Sequence, residues 1–239
     1  MRAAWCPFAT RRDGPASKVS GPAQQKRGAV YHSIVGSYSS ALAGLDNMAV
    51  QKSWHFTVLK DGRVFQHFPA AAWAWHCGDR DDPSGEISNN RDLIGIEHEG
   101  GPEGNESEPL TESQLEASAR LTAWLVAEGH IPNLGRSGPS RGFWEHNEIV
   151  ATSCPSGRIP WLRLIARTEQ LLLSEQEDDM AVQYVKIRGE PPIYEVFGSF
   201  RRHIDADEWV VIETLHGGNP PLVQLPANVR LVLERKKEL

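Results

Sequence analysis

No stretch of this 239-residue chain approaches eighteen consecutive apolar residues, so no segment reads as a membrane-spanning helix. The first thirty residues carry Arg2, Arg11, Arg12, Lys18, Lys26 and Arg27 but lack the apolar core of a secretion signal. The expectation is a cytoplasmic product without membrane insertion. Cysteine is scarce as well: Cys6, Cys77 and Cys154 make an odd count of 3, which suits a metal ligand better than a disulfide framework. Cys6 and Cys77 read as small buried hydrophobes, with a bond between them as the alternative. A positive balance is missing too. The formal charge is −6, and no basic stripe with interleaved aromatics is present, which argues against a nucleic-acid partner. The local zinc signatures are also absent: there is no Cys-x-x-Cys, no His-Glu-x-x-His and no His-x-Glu followed by Pro-Cys-x-x-Cys.

What is present is an ordinary globular composition, 40% hydrophobic and 23% charged, long enough for one or two domains with a packed core. Residues 1–27 are basic and rich in Gly, Pro and Ser, and read as a wrap anchored by Trp5, Pro7 and Phe8 rather than a regular element. Ala29 to Tyr31 reads as a strand with His32 at its end, and Ser39 to Ala49 as a short helix. Trp54, Phe56 and Val58 alternate with His55, Thr57 and Leu59, and Asp61-Gly62 then turns the chain toward Val64, Phe65 and Phe68, a hairpin pattern. Because successive strand side chains face opposite ways, Trp54 and His55 cannot both point at one site without a bulge. Leu93 to Ile96 is a further strand.

Thr111-Glu112-Ser113-Gln114 is a capping box before apolar residues at helical spacing, which run to Gly129. Pro160 opens a second amphipathic helix through Leu172. Strands followed by packing helices predict an α/β fold: a mixed central β-sheet packed by helices, plus a small β-rich C-terminal domain. The expected organisation is a wrap over 1–27, a catalytic domain over 28–175, an acidic linker over 176–182 within the polar run that starts at Ser174, and a small domain over 183–239. Strands are expected in that last piece at Val185 and Ile187, Ile193 to Val196, and Trp209 to Ile212.

Five stretches carry a family likeness, in order: Ala29-Val30-Tyr31-His32-Ser33; Ser53-Trp54-His55-Phe56 running to Asp61-Gly62; Ala74-Trp75-His76-Cys77-Gly78; Ile94-Gly95-Ile96-Glu97; and His146 with Thr152-Ser153-Cys154-Pro155. Over roughly residues 28 to 172 the chain resembles the zinc-dependent N-acetylmuramoyl-L-alanine amidases, the family of phage lysozyme-amidases and peptidoglycan recognition proteins. The resemblance implies a Zn2+ held by His32, His146 and Cys154, three ligands that leave a fourth position open for water, as in hydrolytic zinc sites. On their own, His32 reads as a satisfied strand-end histidine and Cys154 as a buried thiol.

The resemblance further implies Glu97 as the catalytic base, since some bacterial branches carry the acid of Ile-Gly-Ile-Glu, whereas Glu99 is taken as an exposed strand-end acid. Thr152 stands where some branches have Thr and others Lys, and its hydroxyl is a candidate oxyanion donor beside the plain reading of a Ser/Thr turn. Trp54, expected with His76 to bind substrate, occupies a position where branches lacking the Glu put Tyr, and an indole offers only a donor. His76 is expected either to bond glycan or peptide or to play a supporting or structural part, and Trp73 and Trp75 either stack on sugars or pack in the core.

The function implied is hydrolysis of the amide between N-acetylmuramic acid and L-alanine, by a phage-type endolysin that waits in the cytoplasm until it is released to the wall. Residues 183–239 then read either as a cell-wall-targeting module or as a structural appendage for oligomerisation. Two rivals stand beside it. One is a peptidoglycan receptor without turnover; the other is a cysteine peptidase with Cys154 as nucleophile, His146 as base and Glu97 as orienter.

Overall fold

Alternation along the strands sorts core from site. The computed structural model describes residues 4–78, 89–137 and 141–180 and four strands further on, with side chains described as far as Leu173. In chain order the elements are β1 (Thr10–Arg11), β2 (Val19–Ser20), β3 (Gly28–Ser33), α1 (Tyr38–Asp46), β4 (Phe56–Val58), β5 (Val64–Gln66), β6 (Trp73–Ala74), α2 (Asn89–Asp92), β7 (Leu93–His98), α3 (Glu112–Ala127), β8 (Phe143–Glu145) and α4 (Trp161–Met180). Six strands form one sheet in the order β1-β5-β4-β7-β3-β8. β3, β4, β7 and β8 run parallel, β5 returns antiparallel to β4, and β1 lies parallel to β5, so the sheet is mixed as expected.

One face carries Ala29 and Tyr31 of β3, Ile94 and Ile96 of β7, and Phe56 and Val58 of β4. They pack in one cluster with Leu115, Ala119 and Leu125 of α3 and Leu164 of α4. Each of the larger fully buried aliphatic or Phe side chains contributes roughly 1.5–3 kcal/mol by leaving water, the alanines less. The alternate residues point the other way. In the parallel register His32 stands beside Glu97, and Glu97 beside Thr57, so all three lie in one row on the face away from α3 and α4.

The local signals explain most element ends. Phe56–Val58 and Val64–Gln66 form the expected hairpin, with Gly62 at φ +89° in its turn, a conformation that favours glycine. Thr111 caps α3, its hydroxyl accepting the Gln114 N–H at 3.0 Å. The return half of the expected box is replaced by a longer-range bond. Gln114 Nε2 donates to the carbonyls of Val58 and Glu99, each at 2.9 Å, which staples the helix start to the ends of β4 and β7.

Three expectations change. The N-terminal wrap contains regular pairing: β1 extends the main sheet along β5, and β2 pairs with β6. The apolar anchor works through Cys6, which is buried, and through Phe8 against the core, while Cys6 N–H donates to Gln66 Oε1 at 2.7 Å. Glu99 is no idle surface acid, since its carboxylate accepts the backbone N–H groups of Tyr38 and Lys60, both at 3.1 Å, and so joins the start of α1 to the β4–β5 turn. The acidic run from Ser174 expected as a linker is helical, because α4 continues to Met180. Glu and Gln are good helix formers, and no Gly or Pro interrupts the segment after Pro160.

The chain divides into two units, residues 1–172 and 173–239. In the second, β9 (Gln183–Ile187), β10 (Ile193–Phe197), β11 (Phe200–Ile204) and β12 (Leu222–Leu225) form a four-stranded sheet in the order β11-β10-β9-β12. β9 and β10 fall where strands were expected, β11 and β12 were not anticipated, and Trp209 to Ile212 lies outside the described residues. Among the described residues no helix is long and apolar enough to cross a membrane.

Candidate metal centre

His32 is the next-to-last residue of β3, and strand parity turns its ring away from the core. His146 opens a short 3-10 turn (His146–Glu148) directly after β8, the strand paired with β3. That turn is held by Glu148, whose carboxylate accepts the Glu145 N–H at 2.6 Å and the Arg136 guanidinium at 2.7 Å. The chain then loops back so that Asn147 N–H donates to the Cys154 carbonyl at 2.8 Å, and eight residues of sequence become a side-by-side pair.

A donor atom from each of His32, His146 and Cys154 lies within 4.8 Å of the other two. His32 Nδ1 is 3.9 Å from Cys154 Sγ. A tetrahedral zinc with ordinary bond lengths would separate a nitrogen and a sulfur ligand by about 3.6 Å, so the trio fits such an ion with little adjustment. Burial lowers the pKa of both histidines, which keeps the imidazoles neutral and their lone pairs available. The Cys154 thiol is pushed up to about 12, first by burial and then by the charge of Glu97. Its sulfur accepts the Ser33 N–H at 3.2 Å.

Glu97 is 8% exposed, and its Oε2 is buried with no hydrogen-bond partner among the described residues. Burial pushes the carboxyl up to about 7 against the opposing pull of the Lys52 ammonium. It lines a cavity of about 250 Å³ together with Ser33, Ser40, Lys52 and Trp54. Thr152 is exposed, and its Oγ1 accepts the Cys154 N–H at 3.3 Å. The turn reading is therefore realised, and the hydroxyl proton is left for another acceptor.

Trp54 lines the cavity but is only 1% exposed, and its indole N–H donates to Thr57 Oγ1 at 2.8 Å. It offers an apolar wall, with its one donor used inside the protein. His55 is engaged elsewhere, its Nε2 bonding the Ala72 carbonyl and its Nδ1 accepting the Gly95 N–H; with Phe56 in the core cluster and Trp54 in the cavity lining, the expected alternation breaks just before β4. His76 stands behind His32, and both of its ring nitrogens are engaged, by His32 at 3.1 Å and by the Leu93 carbonyl at 3.2 Å. Trp73 and Trp75 stack on one another, ring centroids 5.8 Å apart. Cys6 and Cys77 are both buried thiols.

Two residues carry weight that the sequence did not reveal. Lys52 brings an ammonium to the cavity lining, and its charge acts on His32, His146, Glu97 and Cys154 alike. Arg158, 3% exposed, donates to the Glu108 carbonyl at 2.6 Å, to Ser33 Oγ at 2.6 Å and to the Glu99 carbonyl at 3.0 Å. It ties the cysteine loop to the ends of β3 and β7. Neither lies in a periodic pattern; the only available signal was Arg158 standing four residues after Cys154.

An α/β domain that brings two imidazoles and a thiol together near a buried carboxylate has a donor set that could hold a metal ion with one position left open. The family described as N-acetylmuramoyl-L-alanine amidase matches residues 22–157, and the chain belongs to it. No curated protein matches the chain. Solved structures do. A selenomethionine derivative of AmpD is 21% identical with a TM-score of 0.52, covering 69% of this chain and 97% of its own. The catalytic domain of XlyA is 24% identical, TM-score 0.51, covering 67% and 98%. A mutant endolysin from Bacillus subtilis is 24% identical, TM-score 0.50, covering 67% and 97%. At these identities the likeness establishes the fold.

Proposed function

We propose that the chain is a zinc-dependent peptidoglycan hydrolase of the endolysin type, which cleaves the amide between the lactyl group of N-acetylmuramic acid and L-alanine. The observation that carries this is the convergence of His32, His146 and Cys154 beside a buried carboxylate in a chain of the amidase family. Cysteine as third ligand is the pattern the resemblance gives to the phage and recognition-protein branches alike, where another branch uses Asp. When bound, zinc supplies Lewis-acid polarisation of the scissile carbonyl and acidification of water, the two aids an unactivated amide needs.

The protein's own groups do the rest. Glu97 Oε2, free of any internal hydrogen bond, takes a proton from the attacking water and returns it to the departing nitrogen, an effect worth roughly 10²- to 10⁴-fold. Burial alone pushes this carboxyl up to about 7, and a bound cation would draw it back down, leaving the carboxylate ready to accept the proton. The Thr152 hydroxyl donates to the oxygen that gains charge as the carbonyl becomes tetrahedral. Trp54 closes one wall against water, and the Lys52 ammonium offsets negative charge gathering in the cavity.

The test is digestion of purified cell walls with mass spectrometry of the products. Stem peptides that begin in alanine are expected, with loss of activity in a chelator and recovery on adding zinc. Wall binding without such peptides would establish the receptor, and activity surviving complete metal removal would establish the cysteine peptidase. Zinc analysis should give about one ion per chain, lost in His32→Ala or Cys154→Ser.

A further inference from the structure

His76 supplies no donor to the His32–His146–Cys154 trio, yet its ring stands edge-on to His32, with Nδ1 3.1 Å from His32 Nε2. Its other nitrogen, Nε2, is 3.2 Å from the Leu93 carbonyl oxygen. A carbonyl oxygen only accepts, so Nε2 of His76 carries the proton, and Nδ1 of the neutral ring is a lone pair. The partner of that lone pair is His32 Nε2, which must then be an N–H. His32 is left with its lone pair on Nδ1, the nitrogen that faces Cys154 Sγ at 3.9 Å.

We propose that His76 is a positioning residue: a proton string from the Leu93 carbonyl through His76 fixes His32 as the tautomer whose Nδ1 lone pair points at the metal position. The assignment rests on the zinc reading of the site for its purpose and on hydrogen-bond direction for its content. A ligand imidazole braced through its other N–H holds its orientation and is a stronger base toward the metal.

The surroundings are arranged to hold the brace. Gly95 of β7 leaves room for the ring, since a Cβ there would lie 2.7 Å from His76 Cγ and 3.0 Å from both Cδ2 and Nδ1. His55 clamps that glycine by accepting its N–H at 2.9 Å. On the other side Asn90 Oδ1 accepts the backbone N–H groups of His76 and Cys77, both at 2.9 Å. His98 Nδ1–H donates to the His32 carbonyl at 3.0 Å, so the ligand's backbone is fixed as well. With both nitrogens committed, His76 has none to offer a glycan.

Zinc affinity, measured by competition with a chromophoric chelator, separates the roles. His76→Leu removes the acceptor and should weaken zinc binding about 10- to 100-fold. His76→Asn, whose amide oxygen stands where Nδ1 stood, should recover most of it. Equal affinity in all three proteins would overturn the assignment, as would an Asn variant no better than Leu. Long-range ¹H–¹⁵N spectra of the wild-type protein decide independently of how the variants fold. His32 should carry its proton on Nε2 before zinc is added and bind zinc through Nδ1. A proton on Nδ1 in the metal-free protein, or zinc on Nε2, would refute the string. Failure of the wild type to take up zinc, with the tautomer as stated, would instead refute the zinc reading of the function.

Discussion

Replacing Lys26 with methionine should remove most of an alkaline rise in stability that this one side chain imposes. Lys26 is 2% exposed, and its ammonium donates to the carbonyls of Arg91 at 2.7 Å and Leu93 at 3.3 Å, beneath the junction of α2 and β7. Burial pulls its pKa down from 10.5 to about 7, with the charge of Asp92 opposing. The unfolded chain keeps that proton up to about pH 10.5, and the folded chain releases it near pH 7. Between those values the unfolded state binds more protons, so stability rises with pH; below them both states are charged and the full cost of burying the ammonium is present. At about 1.4 kcal/mol per pH unit the cost is bounded at roughly 5 kcal/mol. Urea unfolding followed by tryptophan fluorescence reads mainly the first unit, which holds 7 of the 8 tryptophans. Between about pH 7.5 and pH 9.5 the wild type should gain roughly 2–3 kcal/mol relative to Lys26→Met. Parallel stability curves for the two proteins would refute the linkage.

Glu97→Gln keeps the size of the side chain but loses the proton acceptor, so turnover should fall by about 10²- to 10⁴-fold while the zinc content stays near one ion per chain. A variant that retains turnover would move the base elsewhere. Lys52→Ala removes an exposed ammonium at the cavity edge and should lower kcat/KM by about two- to fivefold, an effect that fades as salt is added to the wild type. Gly95→Ala forces a methyl group against the His76 ring and should cost about 1–3 kcal/mol in a thermal or urea melt. Unchanged stability would mean that the ring moves aside freely.

The layering was legible because strand alternation is a local code. Ala29 and Tyr31 against Val30 and His32, or Phe56 and Val58 against Thr57, announce two faces before any partner is known. What alternation cannot say is register. His32 and Glu97 are 65 residues apart, and only the parallel pairing of β3 with β7 places them side by side. Gln114 shows the same limit from the helix side: the motif located the start of α3, but tertiary context drew the glutamine side chain to Val58 and Glu99. Lys52 and Arg158 act through long side chains arriving from loops, where no period constrains the sequence. The metal trio was legible only through family likeness, since its members come from one strand, one turn and one loop and share no local spacing rule.

The same geometry distinguishes the two chemistries open to Cys154. A cysteine nucleophile works as a thiolate and needs a setting that lowers its pKa, such as a helix N-terminus or an imidazolium partner. Here the thiol is pushed up to about 12 by burial and by the Glu97 charge, and both neighbouring histidines are held below their ordinary range, so neither stands as an imidazolium at neutral pH. Only a bound cation reverses that balance, because coordination deprotonates a thiol outright. Metal-free protein should therefore react slowly with iodoacetamide at pH 7, no faster than an ordinary buried cysteine, and speed up only as pH climbs well past 9. Rapid single-site alkylation of Cys154 at neutral pH in chelator would show an activated thiolate and restore the nucleophile in place of the ligand.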